Sequence, residues 1–561
     1  MNWKENWNSK IGLWSNNGPG HTITTKHLET VHAGPNGASR LLAAAEAEAL
    51  EEIEVERVLL TLRDMQWMEH DDLRGCMLWY REEVRPVDTN AAFFTGLSLI
   101  VLRVRFYDQL DDNCRKLLDE ILSGLDLWFQ NAVAHASYHY PNKYLGDLVC
   151  GWLLLEIMDK VDENAFMAEQ MRKAAAYWMK NHWGWGEHLS DGYASVCLNE
   201  LSVLLMLAKQ LPEDIRQSYL LLSQDLLNIE DSFDGGPRVP ALRSYAFQQV
   251  KTHLNYRDSI KPSQETEQNF GNMPQLGNLL YKLGWHEVMP KRLKRQRDLQ
   301  IPCFAGAIAT ARVENDIRLG SMSHFPIMPS AEYPSWGLSW QCFPVAFSRA
   351  DSDWGFLQWE TVEKGVRRAH PANGGPPAHI PKALTETVKP PLCGYTYTLQ
   401  RGTGVLILRL IRQIPASWES ITDRFRLVEA TTPVTEICQE GGSQLLLRYP
   451  ERDLSVHFIP LQKEKKPELR ANATNGIDWN LTLTSGEPDF QEQRILVHLW
   501  AISLAGQINT RPLITTISDA LEPRSDQEKR RIINWTWKDI QWKVAIDPLS
   551  NTPLVVLEEG Q

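Results

Sequence analysis

Between residues 38 and about 290 apolar positions recur at steps of three and four, the spacing of a helix with one buried face. Ala38 to Asp64 carries this pattern with Glu-rich opposite faces, and Asp88-Thr89-Asn90 reads as a helix start before the apolar run Ala91 to Phe106. Further segments follow at Cys114 to Phe129, Leu145 to Met158, Glu163 to Met179, Val196 to Leu211, Ile215 to Leu227 and Met273 to Leu283. Nine or ten helices joined by short loops are expected. From about residue 300 the period changes to alternation, with β-branched and aromatic residues enriched. Strands are expected at Gly394 to Leu399, Gly404 to Ile411, Ser443 to Arg448, Leu454 to Leu461, Trp479 to Thr484, Ile495 to Leu504, Ile533 to Ile546 and Leu554 to Leu557. Many strands with hardly any helix among them predict an antiparallel β-sandwich.

The pattern therefore divides the chain into an arm over 1–37, a helical domain over 38–295 and a β domain over 296–561, an α+β multidomain protein. The join falls in the basic stretch near Lys291 to Arg297, and the Pro/Gly-rich piece Ala369 to Pro381 reads as a long loop. Helical hairpins in series can close around a cleft as an (α/α) toroid or stack as a solenoid.

One stretch interrupts the helical pattern. Asn181-His182-Trp183-Gly184-Trp185-Gly186-Glu187-His188, continuing to Tyr193, packs aromatic and ionisable groups tightly and then empties into an apolar run from Val196. Loops held by rigid helices commonly carry chemistry. Flat indoles suit stacking under a sugar ring, and the histidines and carboxylates supply acid and base. A helix start with a Trp-Gly packing knot is the structural alternative. The aromatic loop Tyr138 to Tyr144, which includes Asn142, and the segment Tyr333 to Trp340, which includes Trp336, are further candidates to line a cleft.

Composition narrows the choices. The chain has 561 residues, 43% hydrophobic and 23% charged, which fits a globular protein with more than one core. Its 21 tryptophans exceed ordinary usage; most are expected in the core, with a few on carbohydrate-binding surfaces. A formal net charge of −12 argues against nonspecific nucleic-acid binding. The eight cysteines are scattered without a CxxC pair, so zinc ribbons and redox motifs are not expected, and several read as buried thiols. No metal-binding, phosphate-loop or serine-hydrolase motif is present. His182, His188 and Asp191 could share a metal, but their spacing does not call for one. No membrane-length apolar run or basic-then-apolar leader pattern occurs, so a cytoplasmic protein is expected as given, or a secreted or periplasmic one if a leader was trimmed.

The layout, together with the Trp/Asn/His loop before an apolar helix, resembles the heparinase and alginate-lyase group of polysaccharide lyases. The resemblance implies an (α/α) toroid followed by an antiparallel β-sandwich, and an acidic polysaccharide or oligosaccharide substrate. In that group an Asn or His near an inner helix neutralises a uronate carboxylate, and a tyrosine about fifty to sixty residues later is base and acid. Here Tyr245 stands fifty-seven residues after His188, behind the turn Asp234-Gly235. A literal Asn-His pair occurs at Asn181-His182, whereas the fitting spacing lands on Glu187-His188, so either pair could contact the carboxylate.

The chemistry such a site requires can be stated without the resemblance. β-Elimination removes a weakly acidic carbon-5 proton, so the neighbouring carboxylate must be neutralised and a base must reach the proton. A tyrosine with an ordinary pKa of about 10 needs nearby positive charge to serve. Arg238, Arg243, Lys251, Arg257 and Lys261 supply it in sequence, unless they form a solvated helix face. Joined to this chemistry, the resemblance implies Tyr245 as base, Arg243 as its activator, and His188, Asn181 and Glu187 at the carboxylate. Trp183, Trp185, Tyr193, Asn142, Tyr333 and Trp336 would contact the glycan, with no cofactor. The alternatives are a glycoside hydrolase using paired carboxylates among Glu187, Asp191 and Asp88, and a noncatalytic glycan-binding protein.

Overall fold

A computed structural model describes residues 3–138, 140–160, 164–240, 256–260, 276–289, 291, 297–303, 306–314 and 317–323. Beyond residue 344 it describes the strand segments named below together with 402, 403 and 467. The chain divides into two compact units: residues 1–188, 192–236 and 254–294 form the first, and 189–191, 237–253 and 295–561 the second.

The first unit opens with four two-residue strands, β1 (Trp7–Asn8), β2 (Leu13–Trp14), β3 (Asn16–Asn17) and β4 (Thr30–Val31). β1 pairs with β2 and β3 with β4, both antiparallel. This stretch differs from the extended arm that its Gly and Asn content suggests. Leu13, Trp14 and Val31 are buried in the main core, and Trp7, Ile11 and Leu28 pack against it, so spaced apolar side chains anchor an otherwise polar segment.

Helices follow: α1 (Gly34–Glu46), α2 (Val55–Asp64), α3 (Ala91–Arg105), α4 (Asp112–Ala134), α5 (Pro141–Ile157), α6 (Asn164–Lys180), α7 (Trp183–Gly186), α8 (Asp191–Leu207) and α9 (Glu213–Ser232). Three short ones close the unit, α10 (Tyr256–Ser259), α11 (Gly277–Lys282) and α12 (Trp285–Val288). The single helical run expected over Ala38 to Asp64 is two helices, separated by a 3-10 turn at Leu50–Glu52.

Their faces sort them into two layers. Every residue of α3 from Ala91 to Leu102, and of α5 from Pro141 to Leu155, is buried. A helix that is buried all round belongs to the interior of a helical assembly. In α2, α4 and α9 buried and exposed positions instead alternate in helical period, as on an outer layer. α1 lies against α3 and α3 against α5, α2 lies against α4 and α6 against α9, and α4 packs across onto α5 and α6 onto α5. Local chemistry sets the ends. Asp111 caps α4 by accepting from the Cys114 amide at 2.8 Å, and Pro141 opens α5, where a missing N–H costs nothing.

The second unit is built of strands, all paired antiparallel. An eight-stranded sheet runs in the order β16-β17-β12-β9-β8-β7-β6-β5, built from β5 (Asp298–Pro302), β6 (Ile308–Val313), β7 (Ile317–Met322), β8 (Val345–Phe347), β9 (Gly355–Lys364), β12 (Ser420–Val428), β16 (Glu468–Ala471) and β17 (Ile477–Thr484). A six-stranded sheet runs β10-β11-β18-β15-β14-β13, from β10 (Gly394–Arg401), β11 (Gly404–Arg412), β13 (Glu436–Glu440), β14 (Gln444–Arg448), β15 (Arg452–Pro460) and β18 (Ile495–Gly506). β19 (Ile514–Ser525), β20 (Glu528–Trp537), β21 (Ile540–Ile546) and β22 (Val556–Glu559) make a four-stranded meander. The strand expected over Ile533 to Ile546 is the pair β20 and β21, with Trp535 opposite Trp542.

Buried polar contacts join the two larger sheets. Arg409 of β11 donates to the Asp423 carboxylate of β12 at 3.0 and 3.1 Å. Gln400 of β10 donates to the Leu319 carbonyl of β7 at 2.9 Å and accepts from the Ser321 hydroxyl at 2.9 Å.

Candidate functional site

The sequence points first to Asn181–Tyr193. The structure places this stretch beside the start of α5. Trp178, near the end of α6, donates its indole N–H to the Tyr138 carbonyl just ahead of α5, at 2.7 Å. Trp183 stacks on Trp178 with ring centroids 5.9 Å apart and planes 10° from parallel. Its own indole N–H reaches the Asp225 carboxylate at 2.8 Å.

Trp183 is 1% exposed, so the expectation that it offers a face to a sugar ring is corrected. The ring is held from one side by Trp178, and its one polar atom is engaged by α9. Reaching that position requires an unusual backbone: His182, Trp183 and Gly184 all have positive φ, at 48°, 61° and 60°. A bulky residue there is a backbone outlier that the surrounding packing must hold.

The neighbouring candidates fall as follows. Asn181 donates its side-chain amide to the Tyr177 carbonyl at 2.9 Å, closing the last turn of α6. His188 is buried at the 3-10 turn Glu187–Leu189. Asn142 is buried in the first turn of α5, and Tyr193 is half-buried in the first turn of α8. The side chains of Trp185, Glu187 and Asp191 lie outside the described residues, as do Arg243, Tyr245, Tyr333 and Trp336 entirely. The expected pairing of His188 with Tyr245 therefore lies outside them too. Of the basic run before residue 262, Arg238 and Arg257 are described, and both are buried rather than on a solvated face. Arg257 grips Asp231 through two hydrogen bonds, at 2.8 and 3.0 Å, so its charge is spent within the fold.

A second group of residues occupies the amino-terminal ends of α1, α3 and α5. Gly34, the first residue of α1, donates its amide to the Trp79 carbonyl at 3.0 Å. Asp88 accepts from the Asn90 amide at 3.0 Å where α3 begins, and the Asn90 side chain donates to the Tyr140 hydroxyl, just ahead of α5, at 3.1 Å. His21 lies between Asp88 and Tyr80, with Nε2 3.0 Å from the carboxylate and Nδ1 2.9 Å from the phenol oxygen. An ionised carboxylate only accepts, so Nε2 carries a proton toward Asp88, and Nδ1 shares a hydrogen bond with the Tyr80 hydroxyl. Burial pushes the Tyr80 phenol up to about 12, which keeps it a donor and unsuits it as a base.

Glu83 completes this end. It accepts from the Trp79 and Tyr80 amides at 2.8 and 3.2 Å, and burial raises its carboxyl above the ordinary range. Deeper in α5, Lys143 and Asp147 form a buried ion pair one turn apart. Burial raises the Asp147 carboxyl while Lys143 opposes the shift.

His21 and Tyr80 carry no sequence signal that would single them out, whereas Asn90 belongs to the helix start Asp88-Thr89-Asn90. Asp88 was legible as a helix start and a carboxylate, and Tyr140 as part of an aromatic loop. Among the described residues, no group of three or more His, Cys, Asp or Glu side chains is arranged to hold a metal ion. No described helix is long and apolar enough to cross a membrane.

No protein-family model matches the sequence, and no curated protein matches it. Solved structures similar to the chain include a crystal structure of heparinase III, with 10% sequence identity and a TM-score of 0.48 over 91% of this chain and 82% of that one. This is a distant structural likeness.

Proposed function

We propose that this protein is a carbohydrate-active enzyme, a polysaccharide lyase that cleaves a uronic-acid-containing glycan by β-elimination. The observation that carries the reading is a convergence in the helical unit. The loop singled out by its chemistry and the amino-terminal ends of α1, α3 and α5 lie at one end of it, linked by Trp178 to Tyr138 and by Asn90 to Tyr140. Helix amino termini favour a negative group, and uronate carboxylates are such groups. Apolar helix bodies behind that end hold the polar side chains in place.

In this reading Tyr245 takes the carbon-5 proton, Arg243 lowers its pKa, and His188 with Asn181 or Glu187 meets the carboxylate. Trp185, Tyr193, Tyr333 and Trp336 supply sugar contacts, and the β unit takes the sandwich form. No cofactor is required, because the step moves a proton and expels a glycosidic oxygen without redox change. Incubation with a panel of uronate polysaccharides tests the reaction class. A lyase releases an unsaturated sugar that absorbs in the ultraviolet; cleavage without that absorbance points to hydrolysis, and no cleavage sinks the enzyme reading. Tyr245→Phe should then lower turnover by about 10²- to 10⁴-fold, the usual contribution of a general base or acid. Full activity in that variant would remove Tyr245 from the mechanism.

A further inference from the structure

Residues 18–29 form a loop with both ends close together. β3 and β4 pair at its base, and the Gly18 amide donates to the Glu29 carbonyl at 2.8 Å. Gly18 sits at φ +113 with nothing within 4 Å of where a side chain would begin, so the loop leaves its base through an open glycine. Within the loop no apolar side chain is buried: Ile23 is 45% exposed and Leu28 is half-buried. Its buried side chains are the hydroxyl residues Thr22 and Thr25.

Leu28, near the base, packs against the main core, and the rest of the loop is held down by polar contacts, the acceptors being the carboxylates of the segment opposite. His21 donates to Asp88, Thr22, whose hydroxyl bonds to that of Thr25 at 2.7 Å, stands against Glu83, and at the base His32 donates to Glu82 at 2.6 Å while accepting from Asn8 at 3.0 Å. Those three are all the carboxylates between Trp79 and Asn90, and each meets the amino-terminal segment.

Beneath the loop lie two aromatic rings. The His21 ring stands edge-on to Trp79 at 4.5 Å, and a Cβ on Gly20 would come within 2.8 Å of the Tyr80 ring. Trp79 and Tyr80 are 5% and 6% exposed. The Trp79 indole N–H and one Glu83 carboxylate oxygen are buried there without a hydrogen-bond partner.

We propose that residues 18–29 are a lid, hinged at the β3–β4 base, that opens from the amino-terminal ends of α1 and α3 and uncovers Trp79, Tyr80 and Glu83 while the helices stay folded. Segments held by few apolar contacts occupy the low end of local stability. Opening exchanges the clasp's hydrogen bonds for bonds to water, and it gives the two unpartnered buried atoms access to solvent. This lid is independent of the reaction assigned to the protein.

Amide hydrogen exchange on the full chain, read by mass spectrometry, tests it without reference to activity. In the wild type the 18–29 amides should be protected relative to an unstructured peptide, yet exchange at least about tenfold faster than those of α1 and α3. Thr22→Val, which loses the hydroxyl bonded to Thr25, and His21→Ala, which loses the bond to Asp88, should each speed exchange across 18–29 by about tenfold, roughly the loss of one hydrogen bond. Exchange in α3 and α5 should not change. Gly20→Ala tests the same idea by sterics, because its new Cβ would fall 2.8 Å from the Tyr80 ring and 2.1 Å from the Thr25 hydroxyl, and it too should speed exchange across 18–29 while leaving α3 and α5 unchanged. Three results overturn the lid: exchange across 18–29 as slow as in α1, exchange there as fast as in an unstructured peptide, or variants that accelerate α3 and α5 equally.

Discussion

Trp183 donates to Asp225 and lies flat on Trp178, so its value to the protein is the position it holds between α6 and α9. Trp183→Phe keeps a ring on Trp178 and removes the N–H. The expected loss is about 1.5–3 kcal/mol, the range for a hydrogen bond to a charged group, measured as a shift in urea midpoint. An unchanged midpoint would show that the Asp225 bond contributes nothing. Sequence reasoning could see an indole in a polar loop, but not which side of the loop faces the core, because a stretch with three consecutive positive φ values has no periodicity to read. Glu83 makes a pH-dependent contribution. Burial raises its carboxyl, so the folded state holds that proton more tightly than the unfolded state does. The stability this adds is complete below the unfolded value, about 4.3 for Glu, and is lost as pH rises through the higher folded value. Glu83→Gln keeps an acceptor for the Trp79 and Tyr80 amides and removes the titration. The variant should therefore gain on the wild type as pH rises in paired urea titrations; a gap that moves the other way contradicts the assignment.

At the scale of elements, how far the sequence could be read depended on how many sides of an element are buried. α3 and α5 stand out because their apolar runs are long, and the expected bounds for α3 differ from Ala91–Arg105 by one residue. β5 to β7 were not foreseen. β6, Ile308-Ala309-Thr310-Ala311-Arg312-Val313, does alternate in burial, but it buries alanines that carry little hydrophobic signal. The amino-terminal segment escaped for a related reason: Leu13, Trp14 and Val31 are too far apart to define a period, yet all three reach the core. Close approach between elements was also invisible. Gly75 has φ +87, and a Cβ there would lie 2.1 Å from the Gly124 carbonyl oxygen of α4. Gly75→Ala should therefore destabilise the protein by more than about 1 kcal/mol, the upper range for a glycine replaced where its conformation is compatible. Because the clash is with backbone, no rotamer change relieves it. A thermal midpoint within error of the wild type would mean the segment Trp67–Cys76 can shift away from α4 at little cost.

At the scale of the whole molecule, the two units are built on different ladders. One buries the all-round apolar helices α3 and α5; the other buries alternate strand positions such as Phe425 and Trp479, whose rings lie 6.4 Å apart across β12 and β17. The change of period near residue 300 is visible in sequence because it alters the spacing of apolar residues over hundreds of positions. The pairing order of the sheets is not, since β11 finds β18 and β12 finds β9 across long separations. Units with separate cores are expected to unfold in separable steps rather than as one. Arg409 and Asp423 offer a local way to test this, being 2% and 1% exposed and joining the two larger sheets of the second unit. Arg409→Ala removes the countercharge and two hydrogen bonds from a buried carboxylate, a change that typically costs about 3–5 kcal/mol. In the first unit, Lys143→Ala removes the countercharge from Asp147. Differential scanning calorimetry should resolve more than one transition, with Arg409→Ala lowering one and Lys143→Ala lowering another. If both variants shift a single common transition by similar amounts, the units unfold as one cooperative body, and stability cannot be assigned to either alone.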